Sequence, residues 1–296
     1  DGETPAPLEV EAYVKNSSIT TSGDLNLWAQ LNSTIESTVV SAAVAYSSTP
    51  IAGGVGSGAG ASSENIVNSK VRAYLDGDAE NSVYVSTGVI RAENIDLHAK
   101  DQSTITAFTG AAALAASVGQ SSIAVTIGTG LAWNTISNDV SAYVANIDQD
   151  SSPISNNLTV LAESDAVITA HAWAASISAT SGAAGLSISG AGADALNVIR
   201  GNVDAYILDS HLVVEGDVSV KSTQSSEIDS TIWAAAGSFS ASASTSLGLA
   251  IGTATASNYV GFSDDGEQIE AFRVSAYVKN SALDVLGNLA LLADMS

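Results

Sequence analysis

Near its start the chain reads VEAYVKNS (residues 10–17), and near its end it reads VSAYVKNS (residues 274–281). The Ala-Tyr pair inside these stretches recurs along the chain at intervals of 61, 69, 63 and 71 residues, at Tyr13, Tyr74, Tyr143, Tyr206 and Tyr277. Self-similarity at a fixed period is typical of solenoids, in which each unit buries its apolar face against the next. The sequence therefore predicts one continuous array, with units at about residues 10–70, 71–139, 140–202 and 203–273 and a partial fifth unit at 274–296.

A second pair of landmarks supports the same division. Each full unit contains an isoleucine followed 29 or 30 residues later by an asparagine, at Ile35, Ile105, Ile168 and Ile228, and at Asn65, Asn134, Asn197 and Asn258. The near-constant distance indicates that insertions are not tolerated between them. Because asparagines at equivalent positions of stacked strands can form a ladder of side-chain amides, we expect the four asparagines to do so.

The stretches between these landmarks carry no charged residue, at 37–63, 105–138, 166–193 and 230–263. Large and small residues alternate within them, as in IAVTIG at residues 123–128, and this period of two predicts strands rather than membrane-spanning helices. The lack of charge predicts that both faces of these strands are covered. We therefore predict an all-β fold, a parallel β-solenoid (β-helix) built from tandem units of about 61–71 residues.

The number of coils in each unit is open at this point. Repeats of roughly 20–30 residues are common in solenoids, so that a unit could supply two or three coils. One very large coil per unit fits the sequence equally well.

The charge balance excludes several classes of partner. With 31 acidic and 9 basic residues the net charge is −22, which argues against nucleic acid and against an anionic membrane surface. Together with the β pattern, this predicts no membrane insertion. The chain has no cysteine and hence no disulfide framework and no thiolate nucleophile or metal ligand.

No motif points to catalysis. His98, His171 and His211 lack metal-ligand spacing, and no phosphate-binding loop or nucleophile elbow is present. We expect no enzyme activity, no catalytic residue and no organic cofactor. Calcium is the one specific ligand that the acidic loops suggest, since hard cations prefer several carboxylate oxygens on a loop. The candidate ligands are Asp76, Asp78, Glu80, Asp148, Asp150, Asp264, Asp265 and Glu267.

The tyrosines alternate with small apolar residues, so that Val10 and Ala12 lie on one side of the strand and Glu11 and Tyr13 on the other. An exposed aromatic row could bind glycans or another fibre. We favour a structural role, in which the rings stack and stiffen the sheet.

These landmarks resemble the tandem units of giant secreted bacterial surface proteins, the filamentous-haemagglutinin-like adhesins and their relatives. The resemblance implies a β-solenoid shaft, an extracellular or cell-surface location and a role in adhesion or surface structure. We expect the chain to be a structural segment of an extracellular fibre or adhesin. Its expected partners are copies of itself or the flanking repeats of a longer chain, and cell-surface glycans are a further candidate. The alternatives are a calcium-dependent ligand- or carbohydrate-binding adhesin module and, less favoured, a β-helical polysaccharide-degrading enzyme.

Overall fold

The computed structural model describes residues 6–77, 89–261 and 272–296, and these contain strands but no helix. The predicted all-β parallel solenoid is confirmed. The strands are β1 (Leu8–Lys15), β2 (Ile19–Thr20), β3 (Leu25–Ser48), β4 (Ala52–Asp76), β5 (Ile90–Arg91), β6 (Asn94–Ala145), β7 (Asp148–Gln149), β8 (Asn157–Leu208), β9 (His211–Val214), β10 (Val218–Val260), β11 (Arg273–Lys279), β12 (Ala282–Val285) and β13 (Leu289–Met295).

Each repeat unit forms one very large coil. Strand β6 pairs in parallel with β4 on one side and with β8 on the other, and every landmark lies beside its counterpart: Tyr143 pairs with Tyr74 and Tyr206. The sheet order is β1-β4-β6-β8-β10-β13, with β3 on β6 and β11 on β8. The sequence spacing of 61–71 residues is therefore the length of a coil, and the alternative of two or three small coils per unit is excluded.

Each coil is flattened into two layers. The chain runs outward along one layer, reverses, and returns along the other, so that hydrogen bonds join residues of the same coil across the interior. Asn138 Nδ2 donates to Asp101 Oδ1 at 2.9 Å, and the hydroxyl oxygens of Ser176 and Ser189 lie 2.5 Å apart. We call the two-layer part formed by residues 37–63, 105–138, 166–193 and 230–260 the blade.

The blade reverses at its tip, where successive coils come very close. A Cβ atom added at Gly182 would lie 1.6 Å from the carbonyl oxygen of Gly119. Glycine is required there because any side chain would collide with the backbone of the preceding coil.

The opposite end of each coil, the base, is closed by short strands. Strands β2 and β5 form one small parallel sheet and β7, β9 and β12 another. The turns that follow four of the five Ala-Tyr strands contain a residue with left-handed backbone geometry, at Asn16, Asn146, Asp209 and Asn280, with φ of 52°, 56°, 47° and 52°. Asparagine and aspartate adopt this conformation more readily than other residues with a side chain, which explains the polar turn at this point of the repeat.

The core tapers from the base to the tip. At the base it contains large aliphatic side chains such as Leu97, Leu158 and Ile207. Next comes the row of repeat isoleucines, of which Ile105 and Ile168 are fully buried. Towards the tip the interior is formed by alanine, serine, threonine and glycine.

The two layers of the blade lie so close that most large side chains point outward. A Cβ atom added at Gly128 would lie 2.7 Å from the carbonyl oxygen of Ala175 in the opposite layer, and one at Gly130 would lie 2.6 Å from that of Trp173. The expectation that both faces are covered is therefore wrong for the outer faces of the described residues. Ile127 is 57% exposed and Ile177 is 54% exposed, although both belong to central coils.

The isoleucine row offers a test of where the stability resides. Replacing Ile168 by alanine removes a fully buried side chain and should lower the free energy of unfolding by about 2–5 kcal/mol. The matched change Ile177→Ala removes the same atoms from an exposed position and should change it by no more than about 0.5 kcal/mol. Urea denaturation followed by circular dichroism compares the two, and equal losses would contradict the assignment of inner and outer faces.

Candidate functional site: the axial ladders

The repeat asparagines form a hydrogen-bonded row through the interior of the coils, close to where the blade joins the base. Asn65 Nδ2 donates to Asn134 Oδ1 at 2.8 Å, Asn134 Nδ2 to Asn197 Oδ1 at 2.7 Å, and Asn197 Nδ2 to Asn258 Oδ1 at 2.8 Å. Asn134 and Asn197 are buried, so that these amides obtain hydrogen bonds from the neighbouring coils instead of from water. The row thus ties each coil to the next and favours a single register.

The asparagine row has a direction. Every donor belongs to the coil nearer the amino terminus and every acceptor to the coil that follows it. A further coil placed before Asn65 would donate to its Oδ1 atom, and one placed after Asn258 would accept from its Nδ2 atom. The ladder is therefore suited to head-to-tail extension.

A second polar row, which the sequence reasoning missed, runs along the start of the outgoing strands. Asn94 Nδ2 donates to Asp24 Oδ1 at 2.8 Å, and Asn157 Nδ2 donates to Asn94 Oδ1 at 2.8 Å. Backbone amides continue the row, since Asp217 N donates to Asn157 Oδ1 and Asn288 N donates to Asp217 Oδ1. The repeated Gly-Asp and Gly-Asn pairs at residues 23–24, 216–217 and 287–288 were the available signal.

The five repeat tyrosines stack along the outer side of the base. Neighbouring ring centroids lie 4.7–5.0 Å apart, and the ring planes differ by 6° or less. This spacing equals the distance between paired strands, so that the rings stack because the coils do. Burial, with the neighbouring Tyr74 as a smaller influence, raises the pKa of Tyr143 to about 12.

Charged side chains flank the tyrosine row. Arg72 Nη1 lies 3.0 Å from Glu11 Oε1, and Arg273 Nη2 lies 2.7 Å from Asp204 Oδ2. The tyrosine row therefore lies on the polar side of its strand. The inner rings are covered on both faces by their neighbours, which favours a stacking role over ligand binding.

Asp101 is a buried carboxylate in the interior, between the base and the blade. It accepts hydrogen bonds from Ser69 Oγ at 2.5 Å, Ser103 Oγ at 2.6 Å and Asn138 Nδ2 at 2.9 Å. Burial raises the pKa of this carboxyl, although the bonds from Ser103 and Ser69 act in the opposite direction. Its counterpart in the next coil is Ser164, so that the charge is a peculiarity of one coil.

The calcium candidates fall into two groups. Asp78, Glu80, Asp264, Asp265 and Glu267 lie outside the described residues.

Among the described candidates, Asp76 Oδ1 accepts a hydrogen bond from Asn146 Nδ2 at 2.9 Å, and Asp148 Oδ1 lies 3.9 Å from His211 Nδ1. Asp150 is exposed. Within the described ranges no three histidine or acidic residues come together as a metal site, and calcium binding stays a prediction.

The histidines lie apart from one another in register. His98 Nε2 lies 2.9 Å from Glu163 Oε2, while His171 pairs with Phe108 in the strand ladder. These two histidines therefore contact residues of adjacent coils.

In the part of the chain that the structure describes, no helix is long and apolar enough to cross a bilayer.

Breaking the asparagine row should destabilise the whole stack. Asn134→Leu removes one of the two acceptors of Asn65 Nδ2 and the donor to Asn197 Oδ1, and leaving these buried groups under-satisfied should cost roughly 2–4 kcal/mol of unfolding free energy. Asn258→Leu is the matched control, because the two bonds that it breaks, one of them long at 3.4 Å, lie at an exposed end, and it should cost clearly less. Thermal denaturation measures both, and an Asn134→Leu protein that melts like the wild type would refute a stabilising ladder.

Asp101 should make the protein less stable at neutral pH than at mildly acidic pH. A carboxyl whose pKa is raised in the folded state binds protons more tightly there than in the unfolded chain, so that its contribution to stability falls as pH rises between the two values. Asp101→Asn removes this titration. We expect the variant to gain stability over the wild type at pH 7, with the gain shrinking as the pH falls towards 4. Melting temperatures across this range test it, and a constant difference would contradict it.

No family model, curated protein or solved structure matches this chain.

Proposed function

We propose that this chain is a structural segment of an extracellular fibre or cell-surface adhesin and that it extends by stacking its coils on further coils. The observation that carries the proposal is the in-register pairing of like residues in successive coils. Because each coil is a template for the next, the same contacts can be repeated at either end.

Both ends of the described stack present unpaired strand edges. Strand β3 pairs with β6 alone among the described strands, and residues 227–260 of β10 pair with β8 alone. Such edges readily accept another strand. Flanking repeats or another copy of the chain supply strands of matching pattern, and the direction of the asparagine row favours a head-to-tail arrangement over a head-to-head one.

The charge distribution supports the same proposal. Acidic residues exceed basic ones by 22 in the whole chain, whereas the blade has no charged residue. Coils can therefore stack along the blade without bringing like charges together, and charge elsewhere keeps the assembly soluble. An extracellular location is part of the proposal and rests on the resemblance of the repeat units to those of secreted surface proteins.

An inward lysine in the first coil tests end-to-end stacking. Ala43 points into the blade and its neighbour Ala42 points outward, so that Ala43→Lys and Ala42→Lys place the same charge on the two faces of one edge strand. We expect the wild type and Ala42→Lys to form filaments with a strand spacing of about 4.8 Å along the axis. Ala43→Lys should not, because an inward charge blocks a further strand.

Electron microscopy and fibre diffraction give the readout, with circular dichroism to verify folding. Filaments of Ala43→Lys that match the wild type would contradict the proposal. Repeating the melts with a chelator examines the calcium-dependent alternative, which requires a fall in melting temperature.

A further inference from the structure

The outer side of the returning layer carries an uncharged surface with an ordered pattern of large and small residues. We call it the return face and define it by four outward residues from each coil: 54, 56, 58 and 60; 123, 125, 127 and 129; 186, 188, 190 and 192; and 247, 249, 251 and 253. Its isoleucines and leucines include Ile123, Ile127, Leu247, Leu249 and Ile251, all of them exposed.

The first coil has glycine at every position of this face. A Cβ atom added at Gly54 or Gly56 would meet nothing within 4 Å, and neither residue has a positive φ. Glycine weakens a strand by roughly 0.5–1 kcal/mol relative to alanine. The fold of the single chain therefore does not require glycine at positions 54 and 56, and the four glycines leave a shallow groove beside the ridge formed by residues 123–127.

Two of the four rows of this face, those of Gly58 and Gly60, are complementary to themselves when the order of the coils is reversed. Along one row of the face the four coils carry Gly58, Ile127, Gly190 and Ile251. A two-fold axis in the plane of the face and parallel to the strands sets the first coil against the fourth and the second against the third. In this row, isoleucine then meets glycine at all four contacts.

The rows of Gly54 and Gly56 follow the same rule in the first and fourth coils, whereas in the two central coils Ile123 faces Leu186 and Val125 faces Ile188. The same operation sets Leu247 of a second copy over Gly54 and Leu249 over Gly56. Ridges from one copy thus enter the groove of the other, as side chains do between packed sheets.

We propose that two copies of this chain pack face to face through their return faces, about this two-fold axis. The uncharged part of the layer, about 12 residues long and four coils wide, covers roughly 750 Å² per copy at ordinary strand spacings. This area matches the approximately 800 Å² per partner of a stable interface. A chain with a net charge of −22 repels a second copy except where both surfaces are uncharged, and the return face meets that condition.

This contact is lateral and does not depend on end-to-end stacking. Stacking grows without limit along the axis, whereas the two-fold contact closes at two copies. The two associations can therefore fail separately, and the Ala43→Lys background isolates the lateral one.

Filling the groove and then restoring it tests the proposal. The substitution Gly58→Ile adds a side chain that the single chain can accommodate, since the atom nearest to the added Cβ is the Ile127 carbonyl oxygen at 3.9 Å. In the two-copy contact the same side chain would collide with Ile251 of the second copy. The double variant with Ile251→Gly exchanges ridge and groove and should restore the contact. Gly237→Ile is the matched control, since this outward glycine lies on the opposite face of the blade and the nearest atom to its added Cβ, Ile177 Cγ1, is likewise 3.9 Å away.

Sedimentation across a dilution series, with and without Ala43→Lys, measures the association. We expect Gly58→Ile to raise the dissociation constant of the two-copy species at least tenfold without lowering the melting temperature, and the double variant and Gly237→Ile to match the wild type. Failure of the double variant to recover, undiminished association of Gly58→Ile, or a wild type that stays monomeric up to roughly 100 µM would each overturn the proposal.

Discussion

The structure depends on parallel pairing, in register, between each coil and the next. Because equivalent residues lie side by side, backbone hydrogen bonds run along the axis and every chemical feature of a coil is repeated at the strand spacing. Asparagines meet asparagines and tyrosines meet tyrosines as a consequence. A slip by one residue would turn every inner side chain outward and bring large residues into an interior that has no room for them.

The narrow interior explains how the stabilising interactions and the exposed apolar side chains are distributed over the coil. Aliphatic packing is concentrated at the base, while the blade is held by backbone pairing, amide and hydroxyl hydrogen bonds and the close approach of alanine and glycine. Large apolar side chains are displaced to the outside of the blade. The surface that would be buried in an ordinary sandwich is therefore available for contact with other molecules.

Much of this architecture follows from the sequence because repetition is visible without coordinates. The spacing of Tyr13, Tyr74 and Tyr143 and the period of two in residues 123–128 are sufficient for the parallel solenoid and for the rows of like residues. The size of a coil could not be predicted from the sequence, because an alternating pattern shows that a segment is extended but not where the chain reverses direction.

The orientation of the blade side chains was also missed. Alternation of large and small residues is the same whether the large ones point in or out, and only the approach of Gly128 to Ala175 settles the matter. The charge of Asp101 has no counterpart in the other coils, and nothing in the sequence indicated that it lies inside.

The flattened coil also determines how a stack of such coils would respond to force. Each layer of a coil, such as β3 or β4, extends for about 25 residues, or roughly 80 Å, while two packed layers are only about 10 Å thick. The resistance of a beam to flexure grows steeply with its depth in the plane of bending. A stack of these coils is therefore a ribbon, stiff edgewise and compliant across its flat sides, and can curve around a surface in one direction while holding straight in the other.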